Sequence, residues 1–158
     1  MDDAPLSEPT GPARRATAFK RMREAQRTEM AEDYVELIGD LIAERGEARL
    51  TDLAEHLGVS HATAAKVVQR LQREGLVESQ PYRAIFLTAQ GAAIAEASRA
   101  RHRIVHAFLR AIGVDALTAE ADAEGIEHHV GPETLAAFER VTLLLTADAR
   151  SADARSND

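Results

Sequence analysis

The chain has 158 residues, no cysteine, 45% hydrophobic and 4% aromatic residues, and a formal net charge of -7. The absence of cysteine excludes disulfides, thiolate metal ligands and cysteine nucleophiles. No apolar run reaches the ~20 residues that a membrane-spanning helix needs, and the pattern of a secretion signal is missing. We therefore expect a cytoplasmic protein with an aliphatic, mainly helical core and no membrane partner.

The first predicted elements are a tail and three helices. Residues 1–18 are rich in Pro, Ala, Asp and Ser without periodicity, which predicts a disordered tail. From residue 19 to 45 apolar residues recur at three- and four-residue steps, which predicts a long helix. Thr51 is expected to cap a short second helix, and Ser60 a third helix that Gly75 ends.

Two short strands are predicted after the third helix. Residues 76–78 and 85–87 are expected to pair as a hairpin with Arg83 near its tip. The order helix, helix, tight turn, helix and hairpin is typical of a winged helix-turn-helix, with Gly58 permitting the turn. Residues 19–88 are therefore predicted to form a winged-helix DNA-binding domain.

The C-terminal half is predicted to be helical throughout. Thr88 is expected to cap a long helix, which two shorter helices follow, so that residues 89–146 form a second domain. Residues 147–158 are expected to be a disordered tail. From Gly113 onward ten acids oppose three arginines, whereas residues 57–83 hold four basic residues and two acids. This contrast indicates two regions with different functions.

The outer face of the third predicted helix carries polar side chains that suit DNA. Short polar residues at a helix start can approach base edges, and basic residues suit phosphates. The alternative is an ordinary helical bundle with a solvated polar face. The candidate DNA contacts are Thr51, Ser60, His61, Thr63, Lys66, Gln69, Arg70 and Arg83.

Two carboxylates share one helical face in the segment EDYVE, and two carboxylates and an imidazole share one in EGIEHH. A third predicted helix directs one histidine toward its apolar side. Inward-facing acids are costly unless they meet a cation, so a divalent metal ion would account for the pattern. Oxygen and imidazole donors without thiolate suit manganese(II) or iron(II), and zinc is not prevented from binding. The candidate ligands are Asp33, Glu36, His102, Glu124, Glu127 and His128.

Four segments in this order, EDYVELI, TDLAEHLGVSHATAAKVVQRL, RHRIVHAFLRAIGV and DAEGIEHHV, resemble the manganese-responsive branch of the diphtheria-toxin-repressor (iron-dependent repressor) family. The resemblance implies a homodimer in which residues 89–146 serve dimerisation and metal binding. It further implies two manganese(II) ions per subunit, held by the six candidate ligands, with no organic cofactor. Asp33, where the iron-responsive branch has methionine, and the missing cysteine favour manganese.

By the same resemblance, the metal-bound dimer is expected to bind pseudo-palindromic operators in double-stranded DNA and to repress manganese-uptake genes. Metal binding would favour the arrangement of the two domains that fits the operator. An iron(II)-responsive repressor of the same family and a metal-independent winged-helix regulator are the alternatives. An enzyme is disfavoured because HExxH and other catalytic motifs are absent from the sequence.

Overall fold

The computed structural model describes residues 12–79 and 84–156, which form six helices and one two-stranded sheet. The mainly α architecture, a winged helix-turn-helix followed by a helical domain, is confirmed. The elements are α1 (Pro12–Arg45), α2 (Leu50–His56), α3 (His61–Arg73), β1 (Val77–Ser79), β2 (Ile85–Leu87), α4 (Ala89–Ala111), α5 (Ala116–Ile126) and α6 (Pro132–Ser156).

The two terminal helices extend into segments that the sequence predicts to be disordered. Helix α1 begins at Pro12, so residues 12–18 are helical. Proline suits the first helical position, where its missing N–H is not needed, and the alanine and arginine residues after it are strong helix formers. Helix α6 likewise continues to Ser156, past the expected end near residue 146.

Two of the three predicted helix caps are confirmed. The Ser60 hydroxyl accepts the backbone N–H of Thr63 at 3.1 Å, and the Thr88 hydroxyl accepts that of Gly91 at 3.1 Å. The prediction for Thr51 is wrong, because α2 begins at Leu50 and its N-terminus has no side-chain cap.

The core of the winged-helix domain forms where α1 packs against α2, α3 and the hairpin. In the hairpin, β1 and β2 are antiparallel, with Val77 opposite Leu87 and Ser79 opposite Ile85. The hairpin tip, with Arg83, lies outside the described residues. The largest fully buried apolar side chains of this core are Val35, Ile38, Leu41, Leu53, Leu71, Val77 and Ile85.

Helix α4 connects this core to a second, smaller one. Its first turn approaches the end of the winged-helix domain so closely that a Cβ on Gly91 would lie 2.0 Å from the Leu76 carbonyl oxygen. Farther along, α4 packs against α5 and α6, with Val105 buried and the rings of Phe108 and Phe138 stacked at 4.1 Å. Because α1 also packs against α4, the C-terminal end of α5 comes to lie beside α1.

In the described segments, no helix combines the length and apolar character needed to cross a bilayer.

Candidate metal centre

Acidic and imidazole side chains from α1, α4 and the end of α5 converge at one place. Asp33 comes from α1, His102 from α4, and Glu127 and His128 from the residues that follow α5. Helix α5 reaches α4 through small buried alanines, including Ala123, which permit a close approach. The crossing of three helices therefore positions the cluster.

Glu127 lies at the centre of the cluster and is only 3% exposed. Its Oε2 is 2.7 Å from Nδ1 of His102, and its Oε1 is 3.7 Å from Nε2 of His128. The hydroxyl of Ser98 donates to the same Oε1 at 3.4 Å. One buried carboxylate thus stands between two imidazoles, with one oxygen toward each.

Asp33 extends the cluster on the α1 side. Its Oδ1 lies 3.3 Å from Nε2 of His128. Partial burial raises the pKa of Asp33 to about 6; the charge of His128 opposes this, while Glu29 and Glu124 add to it. A carboxyl group in this position binds a proton readily because burial, with a smaller contribution from neighbouring carboxylates, disfavours its charged form.

The pKa values of three further groups are raised. Burial raises the pKa of Glu127, although its hydrogen bond with His102 acts in the opposite direction. Burial lowers the pKa of His102, but the bond to Glu127 and the surrounding carboxylates outweigh it, so the net shift is upward. The pKa of His128 is likewise raised against burial, chiefly by its hydrogen bond to Glu32. The cluster therefore attracts positive charge.

Glu124 and Glu36 differ in how they relate to this cluster. Glu124 is exposed, with Oε1 3.6 Å from Nδ1 of His102. Within residues 12–79 and 84–156, no hydrogen bond or ion pair joins the Glu36 carboxylate to the other candidate ligands; its backbone carbonyl accepts from Arg99 at 3.3 Å. Five of the six predicted residues are thus in contact through a chain of short distances.

Two residues that we did not predict continue the cluster along α4 and α5. Glu120 places Oε1 3.5 Å from Nε2 of His102 and Oε2 3.6 Å from Nε2 of His106. The His102 and His106 rings are nearly parallel, with centroids 6.1 Å apart. The spacing in the sequence could have indicated both residues, because His106 follows His102 by four residues and Glu120 precedes Glu124 by four, so each pair shares a helical face.

These residues fit a divalent cation. The donors are carboxylate oxygens and imidazole nitrogens, and ligand atoms of His102, Glu120 and Glu124 lie within 4.8 Å of one another. Such donors suit manganese(II) and iron(II). A buried carboxylate flanked by imidazoles is also a site where a cation can replace the protons that the raised pKa values retain.

The predicted DNA-facing residues of α3 are mostly exposed. Lys66 and Gln69 are open to solvent, as are three residues at the start of the helix: Ser60, His61 and Thr63. The Ser60 and Thr63 hydroxyls are 2.9 Å apart, so their groups also serve the helix cap. Thr51 is exposed on α2.

Arg70 does not face outward as the helical pattern predicts. Its Nη2 donates to the Arg27 backbone carbonyl of α1 at 3.2 Å, and its Nε lies 3.6 Å from Glu74. The Arg70 side chain is 17% exposed. The position lies at the edge of the polar face, where α1 passes close enough to receive the guanidinium.

The chain matches two family models over most of its length. Residues 26–85 match "Iron dependent repressor, N-terminal DNA binding domain". Residues 88–148 match "Iron dependent repressor, metal binding and dimerisation domain". The helices that form the cluster therefore lie on both sides of the boundary between the two matches.

Relatives at high identity carry one name. The "Transcriptional regulator MntR" of Escherichia coli O157:H7 is 54% identical over 124 residues, which cover 78% of this chain and 80% of that protein. The protein of the same name from Salmonella typhimurium is 52% identical over 120 residues, covering 76% of each chain.

Two solved structures share the fold. A "Manganese-dependent transcriptional repressor complex with manganese" has a TM-score of 0.61 and 31% identity over 73% of this chain. The crystal structure of "T. acidophilum IdeR" has a TM-score of 0.62 and 28% identity over 69% of this chain. The matched part spans 52% of each of these two structures, about half their length.

Proposed function

Because the chain belongs to the iron-dependent repressor family, we propose that it is a manganese(II)-dependent transcriptional repressor. The two MntR relatives are named transcriptional regulators, and one structural neighbour is named a manganese-dependent repressor. The chain is accordingly a regulator and not an enzyme. It binds DNA through its N-terminal domain and a divalent metal ion through its C-terminal domain, which also mediates homodimer formation.

The observation that carries the metal assignment is the buried Glu127 carboxylate between His102 and His128. This carboxylate and the two imidazoles would supply oxygen and nitrogen donors to divalent cations. We assign two manganese(II) ions per subunit to this cluster. The residues that would hold them are Asp33, Glu36, His102, Glu124, Glu127 and His128; Glu36 lies three residues, about one helical turn, after Asp33 on α1.

The ligands also explain how metal is coupled to DNA binding. Asp33 and Glu36 lie on α1, which carries the core of the winged-helix domain, whereas the other four ligands lie on α4 and at the end of α5. Bound manganese(II) would supply the positive charge that these carboxylates lack. With that charge present, the arrangement that brings α1 against α4 and α5 is favoured over more open ones.

The DNA-binding surface in this proposal is the exposed face of α3. Its N-terminal residues Ser60, His61 and Thr63 approach base edges, and Lys66 contacts phosphate. Paired helices in a homodimer would read a pseudo-palindromic operator upstream of manganese-uptake genes. A cytoplasmic location, where such DNA is found, belongs to the same proposal.

The second subunit would cover an apolar surface on α6. Four of its large side chains are exposed, and a groove between α4 and α6 lies beside them, lined by Ile104, Ala107 and Leu143 among others. Exposed large apolar side chains beside an apolar groove are typical of an interaction site. The exposed residues are Val141, Leu143, Leu144 and Leu145.

The experiment that tests the function is operator binding by the purified protein under anaerobic conditions, titrated separately with manganese(II), iron(II) and zinc(II). We expect DNA binding to require metal and to be supported by manganese(II). Binding that is independent of metal would overturn the proposal. Activation by iron(II) alone would instead favour the iron-responsive alternative of the same family.

A further inference from the structure

Glu32 precedes the proposed ligand Asp33 on α1 and makes contacts of its own. Its Oε2 lies 2.9 Å from Nδ1 of His128 and 2.7 Å from Nη2 of Arg101 on α4. The three side chains are largely buried, with 16%, 5% and 21% of the Glu32, His128 and Arg101 side chains exposed. One oxygen of the Glu32 carboxylate thus lies beside a ring nitrogen and a guanidinium nitrogen, and all three groups are shielded from solvent.

The ion pair with Arg101 determines what Glu32 can do. A guanidinium is always protonated, so Arg101 places a positive charge 2.7 Å from the Glu32 carboxylate. An ionised carboxylate can only accept hydrogen bonds. The hydrogen bond between Glu32 and His128 therefore requires that Nδ1 of His128 carries the proton.

The opposite nitrogen of His128 faces the proposed metal ligands. Nε2 lies 3.3 Å from Oδ1 of Asp33 and 3.7 Å from Oε1 of Glu127. In a neutral ring with its proton on Nδ1, the Nε2 lone pair is free. The two nitrogens of His128 thus have separate partners, a carboxylate on one side and the metal cluster on the other.

Glu32 is itself poorly placed to bind the metal. Its contacting oxygen already faces two donors, and the Arg101 guanidinium repels a divalent cation from that side. Asp33 and Glu127, by contrast, lie beside Nε2 of the same imidazole. Glu32 therefore contacts the His128 ring on the side opposite the proposed ligands and orients it from there.

We propose that Glu32, paired with Arg101, is a positioning residue that fixes the tautomer and the orientation of His128, so that Nε2 is presented to the metal. The inference rests on the proposed function in that it takes His128 as a ligand. Partners of this kind behind ligating histidines raise ligand basicity, and their loss costs about 10- to 100-fold in metal affinity.

The first test needs no metal and no substitution at Glu32. The ring nitrogens of ¹⁵N-histidine-labelled, metal-free protein are observed by NMR at alkaline pH, where the rings are neutral, and His128 is assigned with a His128→Asn variant. We expect the proton of His128 on Nδ1. A proton on Nε2 in the wild-type protein would overturn the inference.

The second test compares the manganese(II) affinity of Glu32→Gln with that of Glu29→Gln by calorimetric titration. Each variant removes one acid near Asp33, but Glu29 has no hydrogen bond or ion pair to His128. We expect Glu32→Gln to populate the Nε2–H tautomer and to bind manganese(II) about 10- to 100-fold more weakly. Glu29→Gln should keep the wild-type tautomer and nearly the wild-type affinity, and Glu32→Asp should restore the Nδ1 proton.

The outcomes separate this inference from the function that it rests on. Wild-type protein that fails to bind manganese(II) contradicts the proposed function, and the tautomer measured without metal still tests the role of Glu32. Wild-type protein that binds manganese(II), together with a folded Glu32→Gln that binds it equally tightly, contradicts only the positioning role.

Discussion

Nδ1 of His102 on α4 lies 2.7 Å from Oε2 of Glu127, which is 25 positions away and directly follows α5. This contact connects α4 to the end of α5 through a carboxylate that is almost fully buried. A buried carboxylate needs a compensating partner, and here its hydrogen bond to His102, together with the surrounding carboxylates, outweighs burial and raises the pKa of that imidazole. Metal binding at this cluster therefore competes with protons.

Replacing Asp33 by Asn should stabilise the metal-free protein at neutral pH. The pKa of Asp33 is about 6 in the folded protein, against an ordinary value of 3.8. The folded state binds the proton of Asp33 more tightly than the unfolded state does. Ionisation of Asp33 therefore lowers the free energy of unfolding: the loss is absent below pH 3.8, develops between pH 3.8 and about pH 6, and is complete above about pH 6. Since the side chain is partly exposed and solvent screens it, we expect a gain of ~1 kcal/mol or less. Urea unfolding at neutral and at acid pH measures it.

The matched control for Asp33→Asn is Glu44→Gln, which removes an exposed acid from the same helix. It should change the free energy of unfolding little at either pH. A gain from Asp33→Asn that persisted below 3.8 would show that burial of the charge is not its cause.

Removing the Glu124 carboxylate by Glu124→Ala should weaken manganese(II)-dependent operator binding. Glu124 lies 3.6 Å from His102 and adds negative charge beside Asp33. We expect the manganese(II) concentration needed for half-maximal DNA binding to rise at least about tenfold, in the range seen when groups around a metal site are lost. The dimer should persist. Asp122→Ala, at an exposed position of the same helix, is the control; an equal effect of both would refute a specific role.

Gly91→Ala should strongly destabilise the fold. A Cβ at this position would lie 2.0 Å from the backbone oxygen of Leu76, which cannot move without shifting the strand that follows. We expect a loss of about 3 kcal/mol, the upper part of the usual range for overpacking. Gly125→Ala is the matched comparison, because its Cβ would meet nothing within 4 Å. There, alanine should add roughly 0.5–1 kcal/mol by reducing chain entropy, as thermal unfolding will measure.

Lys66 and Arg70 should affect different properties although both are basic residues of α3. Lys66 is exposed, so Lys66→Gln should leave stability unchanged and lower the salt slope of operator binding by ~0.9. Arg70 donates to a carbonyl of α1, so Arg70→Gln should cost about 1 kcal/mol of stability and leave the slope unchanged. Fluorescence anisotropy with labelled operator at several salt concentrations, together with urea unfolding, separates the two. The assignments would be reversed if Arg70→Gln changed the slope and Lys66→Gln did not.

Leu143→Asp should disrupt the homodimer. Leu143 is exposed on α6 and also lines the groove between α4 and α6. A charge buried there on association would lack a partner, so the variant should dissociate at concentrations where the wild type is dimeric. Ala62→Asp adds the same charge on the exposed face of α3 and is the control. Sedimentation equilibrium will report both, and a dimeric Leu143→Asp would exclude this groove as the interface.

Local patterns in the sequence determined the helices, the hairpin and the chemical type of the site. Apolar periodicity predicted the core faces of α1, α3 and α4, and hydroxyls before helical runs predicted the caps at Ser60 and Thr88. The absence of cysteine limited the metal ligands to oxygen and imidazole. The helices and their caps depend on residues within a few turns of one another, and the type of ligand depends on composition. The sequence alone is therefore enough to predict them.

The tertiary structure decided which atoms of these elements meet. Glu32 lies beside His128, 96 positions away, and Arg70 turns toward α1 because that helix passes within reach of it. Both contacts follow from how the helices cross, which depends on packing between distant segments and not on the period of any one helix. The sequence therefore indicated a metal site of carboxylates and imidazoles. Only the crossing of α1, α4 and α5 placed the buried Glu127 carboxylate between two histidines and the Glu32 carboxylate against the far side of His128.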